Sequence, residues 1–273
     1  MITEMTMTIK TPTLIALDFD GVLCNGLIEY FQTAWRTYSQ IWQLSDEVQS
    51  NDLVEKFYRL RPVIEIGWEM PVLIRALILG IGEEAIFEEW QAIAQKIVFE
   101  EGLDRGEIGA CLDSTRDEWI AKDLEGWLSL HQFYPGVVER LKGLMVSEVK
   151  PVIITTKEGR FVRSLLQKEG INLPQADIIG KESKCPKYES LRILLAKLGV
   201  GTTIWFVEDR LKTLLSIRKQ ADLQEVELFL ADWGYNTQKE RNSVVENPPI
   251  HLLSSAQFSQ DFSVWKVLGE GNE

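Results

Sequence analysis

The sequence predicts an α/β protein: a Rossmann-like parallel-sheet core with an inserted all-helical domain. Three observations predict it. Short apolar runs alternate with amphipathic helical stretches in both flanks of the chain, the pattern of strand–helix–strand units. The stretch between them is rich in Trp, Glu, Ile, Leu and Ala at helical spacing and has no clear strand run. Charge divides the same way: Asn25–Gln132 carries 20 Asp+Glu against 9 Lys+Arg, the remainder 21 against 20. The predicted domains are therefore 1–24 with 133–273 for the core and 25–132 for the insert.

The first predicted strand is Thr13–Asp18, with apolar Leu14-Ile15-Ala16-Leu17 closed by an acid. Four more follow at Pro151–Thr155, Ala176–Gly180, Thr203–Glu208 and Val226–Ala231. Amphipathic helices are expected over Arg160–Glu169, Tyr188–Leu198 and Leu211–Ala221. Within the insert, Glu83–Phe99 has the same period, and Phe133-Tyr134-Pro135-Gly136 marks the chain's return to the core. After Asn247-Pro248-Pro249 the tail holds one short apolar run, Ile250–Leu253, then a helix or loose end. No internal repeat or low-complexity run appears.

A chain of 273 residues, 45% hydrophobic and 26% charged, can bury a substantial core. Its net charge of −12 argues against a general nucleic-acid binder. Cys24, Cys111 and Cys185 form no C-x-x-C pair, which argues against a disulfide frame or zinc site and fits a reducing compartment. With His131 and His251 as the sole histidines, a His-rich metal site or a Ser-His-Asp triad is disfavoured. Residues 1–11 carry no basic start and no long apolar run, so no signal peptide is expected. Pro71–Ile81, interrupted by Arg75, is too short to span a membrane. A cytoplasmic protein is expected, with no membrane or nucleic-acid partner, as a monomer or homodimer.

Chemistry concentrates at predicted strand ends, where ligands bind in parallel α/β sheets. Asp18 and Asp20 lie one residue apart, on the same side of an extended chain, and Gly21 lets the chain turn. Like charges so close are tolerated when a cation lies between them or a proton is shared. The pair therefore reads as a metal site, a nucleophile with an acid, or both; a solvated turn is the bland alternative. Thr155 ends the second strand, where a hydroxyl can bind a phosphate oxygen, although most strand threonines are structural. Lys181-Glu182-Ser183-Lys184-Cys185-Pro186-Lys187 supplies lysines just ahead of a helix. Any single one is by default a surface residue, but one there can neutralise a carboxylate and a phosphate. Glu208 and Asp209 end a further apolar strand and suit Mg²⁺, which takes hard oxygen ligands. Asp209 can also serve as helix N-cap before Leu211.

Each element alone is modest. Taken in order, they resemble the haloacid dehalogenase superfamily, in particular its phosphoglycolate-phosphatase-like hydrolases. Asp18-Phe19-Asp20-Gly21-Val22-Leu23 closely matches that superfamily's first motif, Asp-x-Asp-x-[Thr/Val]. The resemblance runs from about Thr13 to Asn236, including Tyr134-Pro135-Gly136 and Asp232-Trp233-Gly234-Tyr235. It implies that the insert is a cap domain placed between the first and second motifs. It further implies Asp18 as nucleophile, Asp20 as general acid/base and Thr155 as phosphoryl binder, with Thr156 beside it on the substrate. Lys187 or Lys184 would orient the nucleophile. Asp18, Asp20 (through its carbonyl), Asp209 and Glu208 would hold Mg²⁺. Many relatives have a further Asp four residues past the metal Asp; Thr213 stands there in this chain, with Glu208 to compensate.

By the same resemblance, dehalogenases lack the second acid because a halide needs no proton, and transport ATPases carry Thr there. Asp20 thus favours a phosphatase or phosphomutase. The expected activity is Mg²⁺-dependent hydrolysis of a small phosphate monoester through an aspartyl-phosphate. A phosphomutase, or a silent member that binds a partner through the acidic cap, is the alternative. In the cap, Arg59 or Arg61 could reach a second anionic group of a small phosphorylated metabolite; Arg59 pairing with Glu55 on a helix face is the even alternative. Trp35, Trp42, Trp68, Trp90, Trp119 and Trp127 are expected to be cap core rather than a stacking pocket.

Overall fold

The computed structural model describes residues 11–43, 50–199, 201–246 and 249–265. The chain divides into two compact units, 1–25 with 133–273 and 26–132. In the first, six strands form a parallel sheet: Leu14–Leu17 (β1), Lys150–Ile154 (β2), Ile178–Ile179 (β3), Ile204–Glu208 (β4), Glu227–Ala231 (β5) and Ile250–Leu253 (β6). Their order is 3-2-1-4-5-6, so the direction of winding reverses at β1.

β1 is central because its residues are apolar on both faces. Leu14, Ile15, Ala16 and Leu17 are all fully buried, as are Val152 and Ile153 on one side of it and Phe206 and Val207 on the other. Such continuous apolar runs are what a sheet covered by helices on both faces needs. Each large apolar side chain buried there contributes about 1.5–3 kcal/mol. Helices Gly159–Lys168, Lys187–Leu198 and Leu211–Arg218 follow β2, β3 and β4. The helix after β4 ends at Arg218, three residues before the expected Ala221, which begins a 3₁₀ turn.

Two elements depart further from the expectation. Ile178–Ile179 is a two-residue strand because Gln175–Asp177, ahead of it, winds into a 3₁₀ turn. Ile250–Leu253 is the sixth strand, paired with β5 from Leu228↔Ile250 to Ala231↔Leu253. Behind it Trp205, Phe229, Phe258, Phe262 and Trp265 form an aromatic cluster with centroids 5.0–5.7 Å apart. A four-residue apolar run carries no strand period of its own, so only this pairing makes it a strand.

The chain leaves the core through Cys24–Asn25 and returns through Gln132–Phe133, two short strands that pair with each other. Helices Leu27–Ile41, Asn51–Leu60, Glu69–Ile78, Glu83–Glu100, Arg105–Lys122 and Leu124–Ser129 build the second unit. Trp35, Trp68, Trp90 and Trp127 are buried in it, and Trp42 and Trp119 half-buried. Glu29, fully buried, accepts hydrogen bonds from Thr33 Oγ1 (2.7 Å), Arg116 Nε (2.8 Å) and Trp127 Nε1 (3.1 Å). Four of the six tryptophans are thus core, Trp127 satisfying a buried acid, whereas Trp42 and Trp119 are only partly buried, Trp42 donating Nε1 to Glu101 and Trp119 lying under the Arg36 guanidinium at 3.6 Å. Among the described residues no helix is long and apolar enough to cross a membrane.

Candidate active site

The functional side chains gather past the carboxyl ends of three adjacent strands. Asp18 continues β1, its amide donating to Val207 O at 2.9 Å. Thr155 continues β2, its amide donating to Ile179 O at 2.9 Å. Glu208 ends β4 and Asp209 follows it. Parallel register brings these ends level, so residues 137 to 191 positions from Asp18 become its neighbours. After β1 the chain folds back on itself, with Leu23 N and Cys24 N both donating to Phe19 O at 2.9 Å.

Lys187 lies between two buried carboxylates, 2.8 Å from Asp18 Oδ1 and 2.7 Å from Glu208 Oε2. Glu208 Oε1 accepts the amides of Asp209 (3.2 Å) and Arg210 (3.0 Å). Asp209 Oδ2 accepts the amide of Tyr235 at 2.8 Å, and Asn236 Nδ2 donates to Asp209 O at 2.9 Å. Asp20 meets a second lysine: Lys157 Nζ lies 3.1 Å and 3.2 Å from its two oxygens.

Burial dominates the electrostatics. It pushes Asp18 up to about 7, helped by the charge of Glu208 and opposed by Lys187. Glu208 and Asp209 are raised as well, chiefly by burial. Burial alone would depress Lys187, but Asp18 and Glu208 more than offset it and hold the ammonium above its ordinary value. Asp18, Asp20 and Glu208 face Lys157 and Lys187, and Asp209 adds a fourth carboxylate, so negative charge is in surplus over these two lysines when all are ionised. Asp18, Glu208 and Asp209 bring carboxylate oxygens within 4.8 Å of one another. Three crowded, buried, hard oxygen donors with surplus negative charge fit a divalent cation.

Of the two candidate lysines, Lys187 is in contact with Asp18, while Lys184 is exposed. Lys187 opens a helix whose first turn faces the strand ends, whereas Lys184 closes a 3₁₀ turn in the left-handed region at φ 52°. Thr155 is buried and Thr156 exposed. Asp209 does not cap the following helix: Arg210 holds the N-cap position, and the Asp209 carboxylate binds Tyr235 N. In the helical unit, Arg59 grips Glu83 through Nε (2.9 Å) and Nη2 (2.8 Å), with Glu55 farther away at 4.0 Å. Arg61 donates to Ile64 O at 3.1 Å and stacks over the Tyr30 ring at 4.8 Å. Both guanidinium groups are thus engaged within their own unit.

Sequence reasoning missed Lys157, Tyr235 and Asn236 as parts of the site. Lys157 had a signal, its place two residues past Thr155, on the same side of an extended chain. Asn236 had none, because its bonds to Asp209 O and Ala231 O depend on how the loop after β5 folds.

Gly21 is required here. Its φ is +86°, and a Cβ added to it would lie 2.1 Å from Asp209 Oδ2. Gly21→Ala is expected to lower stability by about 2 kcal/mol or more, since the left-handed conformation alone costs roughly 1–2 kcal/mol and Asp209 must also move. A thermal melt no different from wild type would contradict this placement of Asp209.

The comparisons with known proteins agree with this fold. No curated protein matches the chain in sequence. Among solved structures, a haloacid dehalogenase-like family hydrolase of Streptococcus pneumoniae superposes with TM-score 0.56 at 14% identity, over 89% of this chain and 94% of that one. A predicted phosphoglycolate phosphatase of Haemophilus somnus gives 0.53 at 16% identity, over 83% and 88%. Protein Tyrosine Kinase A of Mycobacterium tuberculosis gives 0.54 at 14%, over 91% and 96%. At such identities the likeness establishes the fold alone. The sequence itself carries the assignment: a model of the haloacid dehalogenase-like hydrolases matches residues 12–219, and the chain belongs to that family.

Proposed function

We propose that this hydrolase is a Mg²⁺-dependent phosphatase acting on a small phosphate monoester. The observation that carries the reading is the buried group of Asp18, Glu208 and Asp209, the first two bridged by Lys187, with Asp20 two residues from the nucleophile. Asp18 attacks phosphorus in line, and the bond to the leaving oxygen breaks. Asp20 gives its proton to that oxygen, releasing the alcohol and leaving an aspartyl-phosphate. Asp20 then takes a proton from water; the hydroxide attacks phosphorus, and Asp18 departs as carboxylate with release of phosphate.

The other residues hold this arrangement. Lys187 orients Asp18 by its 2.8 Å contact with Oδ1. Thr155 Oγ1 accepts Lys157 N at 3.1 Å, which leaves its hydroxyl hydrogen to donate to a phosphoryl oxygen. Asp18 and Asp209, with Glu208 in reach and the Asp20 carbonyl as the fourth ligand that the resemblance implies, would hold Mg²⁺. When bound, Mg²⁺ supplies positive charge that screens Asp18 from the incoming phosphate.

On this reading the partner is a small phosphorylated metabolite, such as phosphoglycolate or a sugar phosphate, with Thr156 as a candidate contact. The three cysteines are free, in keeping with a reducing, cytoplasmic setting. The test is phosphate release from a panel of small phosphate esters, with Mg²⁺ and with EDTA. Turnover on at least one ester is expected, falling at least about tenfold in EDTA and restored by Mg²⁺. No release from any ester by folded protein would sink the phosphatase and leave a bisphosphate-requiring mutase or a binding protein.

A further inference from the structure

Lys157 is a cation at the site for which the reaction above has no part. Its side chain is only 9% exposed, and Nζ reaches both oxygens of Asp20, at 3.1 Å and 3.2 Å. Its backbone is fastened on both sides: the amide donates to Thr155 Oγ1 (3.1 Å), and the carbonyl accepts Lys181 N (2.9 Å). The ammonium therefore starts from a point held by β2 and by the segment after β3. Asp20 sits in the turn after β1, its side chain 18% exposed, close enough to Asp18 for the two charges to repel. Repulsion alone would turn the Asp20 carboxylate outward, away from Asp18. A two-oxygen contact with a fixed, nearly buried ammonium counters that.

We infer that Lys157 is a positioning residue, which holds the Asp20 carboxyl beside Asp18 in the orientation that proton transfer requires. The inference rests on the phosphatase reading. It makes the site a pair of matched contacts, Lys187 on the nucleophile and Lys157 on the acid/base. Misplacing a reacting group by about 1 Å can cost about a hundredfold in rate, so the effect should be measurable.

The experiment uses two substrates, an alkyl phosphate, whose leaving group needs a proton, and an aryl phosphate of an acidic phenol, which does not. First-turnover rates are measured by rapid quench for wild type, Lys157→Met, Lys157→Arg, Asp20→Asn and the Asp20→Asn/Lys157→Met double variant. Lys157→Met should slow the alkyl ester at least about tenfold and the aryl ester less than about threefold, with KM unchanged. Lys157→Arg should recover most of the loss. In the Asp20→Asn background, Lys157→Met should change the rate less than about twofold, because the contact it removes no longer matters. Equal losses on both esters, losses that add to Asp20→Asn, or a raised KM would overturn the inference and put Lys157 on the phosphoryl group itself. Wild-type silence on both esters would overturn the phosphatase reading instead. Should Lys157→Met not fold, Lys157→Gln and Lys157→Arg carry the same comparison.

Discussion

Asp18→Asn is expected to abolish phosphate release, by at least about a thousandfold, while leaving the protein no less stable than wild type. Both halves come from one position. Asn keeps the shape of the side chain but cannot form the acyl phosphate, so the covalent route closes. Asp18 is buried, and its carboxyl is pushed up to about 7 by that burial and by Glu208. An Asp with a raised folded pKa stabilises the fold most below its unfolded value, near 3.8, and that stabilisation is lost as pH rises toward about 7. At pH 8, where the wild-type side chain is ionised, the neutral Asn avoids that loss. Phosphate release and thermal melts at pH 8, with and without Mg²⁺, check both halves. Mg²⁺ at about a hundred times its Kd should stabilise wild type by roughly 2.7 kcal/mol and Asp18→Asn by much less, because one ligand is gone. Retained turnover in Asp18→Asn would remove it as nucleophile. A large drop in melting temperature would show that the ion pair with Lys187 outweighs the cost of burial.

Lys187→Met should have the opposite profile, with activity and stability lost together. The ammonium is the shared partner of two buried carboxylates, and removing one member of such a group typically costs about 3–5 kcal/mol. The cost should depend on pH. Without Lys187, Asp18 and Glu208 lose their pull toward lower pKa and bind protons more readily in the folded state. The variant should therefore be most destabilised above about pH 7, where the carboxyls are ionised, and recover as the pH falls toward 5. Denaturant unfolding at pH 5 and pH 8 measures the difference. An equal loss at both values would mean that the lysine contributes through its methylene packing rather than its charge. Lys184→Ala, at an exposed position, should match wild type throughout.

Much of this was legible in one dimension because the informative features are local. Leu14–Leu17 is apolar at every position, and only a strand covered on both faces calls for that. Asp18, Thr155 and Asp209 were locatable because each follows such a run, and parallel sheets place strand ends at one edge. The insert was legible from its helical period and its charge. The limits lay where a partner distant in sequence decides the outcome. Ile250–Leu253 becomes a strand because β5 offers it an edge, and the Tyr235 amide rather than a helix terminus engages Asp209. Arg59 turned to Glu83 rather than Glu55 because another helix brings that acid within 2.8 Å.

The amino-acid sequence by itself determined which residue types stand at the ends of buried strands, and so the family and the class of chemistry. Only the tertiary structure decided how three carboxylates are shared between two lysines: Lys187 to Asp18 and Glu208, Lys157 to Asp20. The physical reason is that a buried charge is held by whatever opposite charge lies within about 3–4 Å. Those distances are set by the register of β1, β2 and β4 and by the helix that Lys187 opens, across 137 residues between Asp20 and Lys157 but only 21 between Lys187 and Glu208.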